Sequence, residues 1–211
     1  MRVFVLQGFC DFADKTVVLA AAGCAPGRAL ALAYADRGAR VIVLDREEAR
    51  AHAIAAENPA RIDSLRLDTL HPAACALFAR IWEAEPIDVL IHLQPLRQPD
   101  RPGAATQAVP ALTRALRAGI EAGDGRVLFL YRAADAAVPA EMRCFALALG
   151  HLAKAMQAEL GSARLAVNGL KLDPGLTEDD TGPILRPAFF LTGGKGRNTA
   201  GTVLPVSAPS D

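Results

Sequence analysis

The stretch from Thr16 to Arg46, TVVLAAAGCAPGRALALAYADRGARVIVLDR, contains the residues best placed to do chemistry. An apolar run leads into a glycine-containing turn and a helical pattern, and a second apolar run ends at Asp45. This layout is typical of a dinucleotide-binding unit, in which the turn holds pyrophosphate and the acidic residue holds a ribose hydroxyl. Gly27 and Asp45 are therefore candidate cofactor-binding residues.

Alternating strand and helix patterns must position these residues. Strands are predicted at Thr16–Ala21, Arg40–Asp45, Ser64–Asp68, Ile87–Leu93, Arg126–Tyr131, Leu165–Lys171 and Thr202–Val206. Helices are predicted at Gly27–Arg37, Glu47–Glu57, Pro72–Ala84, Thr106–Ala122 and Ala140–Leu160, and loops at Gln94–Thr106 and Asp173–Pro187. The alternation predicts one α/β domain over residues 1–211, a doubly wound parallel sheet (Rossmann-type) of about seven strands with helices on both faces.

Composition narrows the class of protein. The 23 basic and 23 acidic residues balance, which argues against nucleic acid and anionic membrane as partners. No apolar run approaches membrane-spanning length, and Val3–Leu6 is too short for a signal peptide. The four cysteines (Cys10, Cys24, Cys75 and Cys144) lack metal-ligand spacing. They are predicted to be buried free thiols, so we expect no metal and a cytoplasmic location.

Several stretches in the correct order resemble the short-chain dehydrogenase/reductase family, in a shortened and degenerate form. DKTVVLAAAGCAPGRALA looks like its first strand, turn and helix, and GARVIVLDR like its second strand. IDVLIHLQP stands where IDVLVNNAG is usual, and NTAGTVLPV looks like the last strand. The resemblance covers about Phe12 to Val206. It implies a Rossmann-type fold and, in active members, NAD(P)-dependent oxidoreduction.

The phosphate-binding turn departs from the family pattern T-G-x-x-x-G-x-G. The chain reads Ala20-Ala21 and then Ala25-Pro26-Gly27, so only the last glycine is present. A left-handed backbone is energetically less favourable for alanine than for glycine, and Pro26 removes an N–H group that could hold phosphate. The turn is interpreted as structurally sound but poor at holding phosphate, which makes NAD a possible but doubtful cofactor.

The family's catalytic positions are also substituted. Met142 and Ala146 stand where the resemblance places the Tyr-x-x-x-Lys pair, and Arg132, or Tyr131 in a shifted register, stands at the serine position. The segment that would carry the catalytic asparagine is too short. We therefore assign no catalytic residue, and whether the chain is an enzyme stays open.

Some cofactor positions remain. Asp45 matches the ribose-binding acid, Asp68 the adenine contact and Pro174-Gly175 the turn near the nicotinamide. Each has a structural alternative, because Asp45 and Asp68 could cap the helices that follow them and Pro-Gly could be an ordinary turn.

Two further groups of residues have side chains that could do chemistry. His92 and Tyr131-Arg132 end neighbouring strands and could form a different acid–base site, or each could be structural. TGGKGRNT (192–199) lacks the spacing of a phosphate-binding loop and is predicted to be a loop before the last strand.

The helix Ala140–Leu160 is apolar on more than one face, which predicts burial against a partner subunit as well as the sheet. We expect a homodimer or homotetramer through helices 106–122 and 140–160, as in family members that pair in this way.

Three functions follow. The first is that of a family member that has lost catalysis and acts through association with itself or with an active relative. Alternatively, the chain is an NAD-dependent oxidoreductase with an atypical site, or a nucleotide- or small-molecule-binding module without turnover. Cofactor binding separates the first from the others, and hydride turnover separates the second from the third.

Overall fold

One parallel sheet organises the chain in the computed structural model, which describes residues 12–135, 137–196 and 198–207. Its strands are β1 (Thr16–Ala20), β2 (Arg40–Asp45), β3 (Ile62–Arg66), β4 (Val89–His92), β5 (Arg126–Arg132), β6 (Ala166–Leu172) and β7 (Val203–Val206). The order is β3-β2-β1-β4-β5-β6-β7, and every neighbouring pair is parallel. The predicted doubly wound α/β sheet of seven strands is confirmed.

Helices cover both faces of the sheet. They are α1 (Ala25–Ala35), α2 (Glu48–Glu57), α3 (Pro72–Trp82), α4 (Gln94–Arg97), α5 (Pro102–Ala115), α6 (Arg117–Ala122), α7 (Ala140–Leu160) and α8 (Gly182–Thr192). Buried residues of α1, α2 and α8 form one apolar core with the sheet, and those of α3, α5, α6 and α7 form the other. Strands enclosed in this way lose both faces to the core, which explains the nearly continuous apolar runs in β1, β2 and β4.

The change of strand order falls between β1 and β4. The chain winds from β1 toward β3 on one side and from β4 toward β7 on the other. In open α/β sheets, ligands bind beyond the carboxyl ends of the strands at such a switch point. The residues that follow β1, β2 and β4 therefore define the candidate site.

Three sequence-based boundaries were wrong. The predicted loop 94–106 contains α4 and the beginning of α5, because Pro95 and Pro102 lie in the first turns of helices, where proline is tolerated. The predicted helix 106–122 is two helices, α5 and α6, which meet at Leu116. The third strand was predicted two residues too late, since its register places Arg66 beside Asp45 at the end of β2.

The helix α8 was missed altogether. Its residues fall partly in the predicted loop 173–187, because Pro183 and Pro187 suggested irregular structure. The buried Ile184, Ala188 and Leu191 lie at helical spacing and hold α8 against the sheet.

An aromatic cluster fixes the other end of α8. Phe189 packs edge-on against Tyr34 of α1 at a centroid distance of 4.9 Å, and the Tyr34 hydroxyl lies 2.7 Å from Thr192 Oγ1. The segment TGGKGRNT begins inside α8 and continues into a short 3-10 turn at 194–196, so the predicted loop is partly helical.

The cysteines only partly match their prediction. Cys75 is buried, Cys24 is half-buried and Cys144 is exposed, all three with free thiols, whereas Cys10 lies outside the described residues. Cys144 was wrongly predicted to be buried because it occupies the outer face of α7. Across the described ranges there is no group of side chains arranged to hold a metal ion, and no helix is long and apolar enough to span a membrane.

Candidate functional site at the strand-order switch point

The turn between β1 and α1 has alanine at two of the three positions where the dinucleotide-binding pattern has glycine. Ala21, at the first glycine position of the pattern, has a φ of 61°. This left-handed conformation costs a residue with a Cβ about 1–2 kcal/mol, so the position is strained. Gly27 cannot be substituted in the same way, because a Cβ there would lie 2.2 Å from the Ala22 carbonyl oxygen. In this structure Gly27 lets α1 pack closely against the turn.

The Asp45 carboxylate is the most heavily used polar group of the site. The residue is 1% exposed at the end of β2. Its Oδ2 accepts from the Gly23 N–H over 2.8 Å, and its Oδ1 accepts from the Glu47 N–H over 2.9 Å. The second bond closes a local turn two residues long, and Glu47 itself occupies the N-cap position of α2. Asp45 therefore shapes the entry to α2 without being its cap.

Gly23 is needed for this contact. A Cβ on Gly23 would lie 2.6 Å from Asp45 Oδ2, closer than atoms without a bond between them can approach. Only glycine allows the turn backbone to donate so directly into the carboxylate.

Arg97 completes the coordination of Asp45 from the other side of the switch point. It is the last residue of α4, which follows β4, and its side chain is 11% exposed. Its Nε and Nη2 atoms lie 3.3 and 3.5 Å from the two Asp45 oxygens, and Nη2 also donates to Glu47. The Arg97 guanidinium, together with Arg50, lowers the pKa of Glu47. Each Asp45 oxygen thus accepts one backbone and one guanidinium N–H.

The backbone donors from Ala22 to Cys24 are likewise used inside the protein. Ala22 and Cys24 donate to backbone carbonyls over 3.0 and 2.7 Å, Gly23 donates to Asp45, and Pro26 has no N–H. A dinucleotide needs such donors for its pyrophosphate and a carboxylate oxygen for its ribose. In this arrangement the donors from Ala22 to Cys24 and both Asp45 oxygens are already bonded within the protein, so a dinucleotide would have to displace them to use them.

Asp68, the third predicted cofactor residue, makes a local turn. Its Oδ1 accepts from the Leu70 N–H over 3.0 Å, and the N-cap of α3 is His71, whose Nδ1 accepts from the Ala74 N–H over 3.3 Å. Gly27, Asp45 and Asp68 therefore all make protein contacts, and their role toward a cofactor stays a prediction. Gly175 donates to Asp173 Oδ1 over 2.9 Å, the bond of an ordinary turn.

An apolar cavity of about 160 Å³ lies where the resemblance placed the catalytic groups. Met142 and Ala146 line it from α7, together with Arg132 from β5 and three prolines, Pro95, Pro99 and Pro102. The two helix positions are thus close to the end of β5, as expected. Neither a thioether nor a methyl group can transfer a proton at neutral pH.

His92 is a structural residue. It is fully buried, and its Nε2 lies 2.9 Å from Thr113 Oγ1, which itself lies 2.8 Å from the Val109 carbonyl oxygen. Because Thr113 uses its one proton on Val109, it accepts from His92, which fixes the proton on Nε2. Burial lowers the His92 pKa to about 3, an effect only partly offset by the nearby Gln94 amide.

The proposed grouping of His92, Tyr131 and Arg132 is not formed. Arg132 turns toward the chain after β6, where it donates to the Leu176 carbonyl and lies 3.4 Å from the Asp173 carbonyl. Burial raises the pKa of Tyr131, whose ring stacks on Phe129 at 6.0 Å. In the part of the chain described, no hydrogen bond joins any two of the three side chains, so they do not make an acid–base site in this conformation.

Sequence reasoning missed Arg97, Gly23 as a partner of Asp45, and Thr113. A basic residue one turn after the end of β4 was the available signal for Arg97, but the prolines around it suggested a loop. Thr113 gave no signal, because a threonine in an amphipathic helix is unremarkable.

Comparison with solved structures agrees with this fold. No protein-family model matches the sequence, and no curated protein shows significant sequence similarity to it. The chain superimposes on a hydroxysteroid dehydrogenase from Escherichia coli with a TM-score of 0.77 and 19% identity, over 92% of this chain and 95% of that chain. For a short-chain type dehydrogenase/reductase from Mycobacterium marinum the TM-score is 0.77 and the identity 18%, over 93% and 95%.

A 3-ketoacyl-(acyl-carrier-protein) reductase from Brucella melitensis, solved with NADH, gives a TM-score of 0.74 and 20% identity, over 92% and 97% of the two chains. Identities this low show the fold alone. The chain therefore has the same fold as these dehydrogenases and reductases.

Replacing Arg97 by methionine tests the Asp45 contact. Removing one partner from a buried carboxylate should lower the free energy of unfolding by about 2 kcal/mol. Arg46→Met is the control, because Arg46 is exposed and lies 3.8 Å from Glu47, and it should change stability by less than about 0.5 kcal/mol. Urea unfolding measures both, and equal effects would contradict the contact's importance.

Acid should destabilise the fold through His92. Its pKa falls from 6.5 to about 3 on folding, so the unfolded chain binds the proton preferentially between those values. Stability is therefore lost as pH falls below 6.5, by about 2 kcal/mol at pH 5 from this group. His92→Gln should lack that component of the pH dependence of urea unfolding, whereas His151→Gln, at an exposed position, should retain it. Identical pH profiles for wild type and His92→Gln would refute the assignment.

Proposed function

We propose that the chain is a member of the short-chain dehydrogenase/reductase family that has lost the family's hydride-transfer chemistry and acts as an association subunit. The observation that carries the proposal is the Asp45 carboxylate, whose two oxygens are held by Gly23, Glu47 and Arg97. A ribose would have to displace these donors. The apolar residues at the catalytic positions support the same reading.

The alternative of an NAD-dependent oxidoreductase with an atypical site requires a proton donor. His92 would have to gain a proton in a fully buried site, where its pKa is about 3, and Arg132 stays charged. The Tyr131 hydroxyl is the remaining candidate, and any hydride turnover should be abolished in Tyr131→Phe. We rank this alternative below the association subunit.

The association surface is proposed to lie on α5 and α7. A bidentate ion pair between Arg114 and Glu159, with N–O distances of 2.6 and 2.9 Å, joins the two helices, so their outer faces lie side by side. The exposed side of α7 includes small residues, which allow close approach of another helix; among them are Cys144, Ala148, Ala155 and Ala158. We propose a homodimer or homotetramer through this surface, and an active relative as a further partner.

Light scattering tests the association. We expect a mass of at least two chains at micromolar concentration. Ala155→Arg should reduce it to one chain, because a cation buried between helices loses its hydration. Ala76→Arg, at an exposed position on α3, should leave the mass unchanged. A wild-type monomer over the same concentrations would overturn the association surface.

A further inference from the structure

A second cavity, of about 430 Å³, opens between α7 and the ends of the last three strands. Its volume is in the range of small-molecule sites, and it lies on the side of α7 that faces β6 and β7. The proposed association function makes no use of it.

The sheet forms one wall of this cavity through a single row of side chains. Tyr131 pairs with Lys171, and Lys171 pairs with Pro205, so the three residues lie side by side across β5, β6 and β7. Partners in register project to the same face, about 5 Å from one strand to the next. That face is the α7 side, because Tyr131 belongs to the core that contains α7.

The helix α7 forms the opposite wall with one stripe of its surface. The lining residues recur at spacings of three and four; they are Arg143, Ala146, Leu147, Gly150 and His151. Ala146 and Gly150 leave room beside the sheet. A Cβ on Gly150 would lie 3.3 Å from the Tyr131 hydroxyl oxygen, so a larger side chain would enter the cavity.

The charged side chains of the cavity are cations. Lys171 and Arg143 contribute cations, and no aspartate or glutamate is among the lining residues. The Lys171 ammonium makes no ion pair within residues 12–135, 137–196 and 198–207. The Tyr131 hydroxyl also makes no hydrogen bond to any of those residues, although Tyr131 is only 2% exposed. The Tyr131 hydroxyl therefore faces the cavity with its proton available, and an oxyanion bound there would accept it.

The remaining lining is apolar. Ala133, Leu147 and Val203 contribute hydrocarbon surface, and Leu147 is 67% exposed. A ligand that matches both parts has a charged oxygen head and a hydrocarbon body.

We propose that this cavity binds a small organic carboxylate with an apolar body. The carboxylate is held by the Lys171 ammonium and the Tyr131 hydroxyl, with Arg143 at the rim, and the body packs against Leu147 and Val203. The site shares Tyr131, Ala133, Ala134 and Ala146 with the smaller cavity at the end of β5, and it requires no dinucleotide.

Calorimetric titration with octanoate tests the site in the full chain, with octanamide as the uncharged ligand of matched size. Octanoate should bind with a dissociation constant below about 1 mM, which ten non-hydrogen atoms can supply. Octanamide should bind about tenfold more weakly or worse, since it lacks the charge that Lys171 recognises. Equal affinities for octanoate and octanamide would overturn the proposal. So would the absence of octanoate binding at ten times the expected dissociation constant. Inorganic phosphate binding as tightly as octanoate would overturn the apolar half of the site.

Variants separate this cavity from the rest of the surface. Lys171→Met should weaken octanoate binding about tenfold, whereas Lys154→Met, a lysine of α7 that does not line the cavity, should leave it unchanged. Gly150→Leu should abolish binding by filling the space. Full affinity in Lys171→Met would overturn the site. The association test is distinguishable, because Ala155 is not a lining residue.

Discussion

The buried Asp45 carboxylate is the contact on which the arrangement of the switch point depends. A carboxylate that is 1% exposed must have its charge compensated, and here compensation comes from three parts of the chain. Gly23 donates from the turn after β1, and Glu47 donates from the entry to α2. Arg97 donates from the end of α4, which follows β4 on the other side of β1. The position that matches the family's ribose-binding acid therefore serves as a structural centre.

This constraint explains the pattern of retained and lost glycines in AAAGCAPG. Gly23 is required because Asp45 approaches it, and Gly27 because α1 packs against the Ala22 carbonyl. Ala21 has the left-handed backbone that glycine would adopt without cost, yet it holds its place in a buried turn. A buried turn that is held by its surroundings can carry that strain. The same logic applies beyond β5, where Met142 and Ala146 pack at positions that the resemblance assigns to proton transfer.

Much of the fold could be predicted from the sequence, because strands buried on both faces produce apolar runs that glycine and proline interrupt. The strand framework and Asp45 at the end of β2 were predictable for that reason. The partner of Asp45 was not, since Arg97 is 52 residues away and its helix is hidden among prolines. The helix α8 was missed because it too contains prolines. The exposure of Cys144 was not predicted, because an amphipathic pattern does not show which face of α7 stays uncovered. The cavity beside α7 depends on the register of three strands, which no local pattern contains.

The most direct test of this account is a calorimetric titration of the purified protein with NADH, with NADPH as a control. The account predicts no heat of binding at millimolar cofactor, because a ribose cannot reach Asp45 without displacing Arg97 and Gly23. Micromolar binding of NADH that is preferred over NADPH and lost in Asp45→Asn would contradict it. That result would show that the Asp45 contacts open for a cofactor. It would favour the alternative function, a nicotinamide-dependent oxidoreductase.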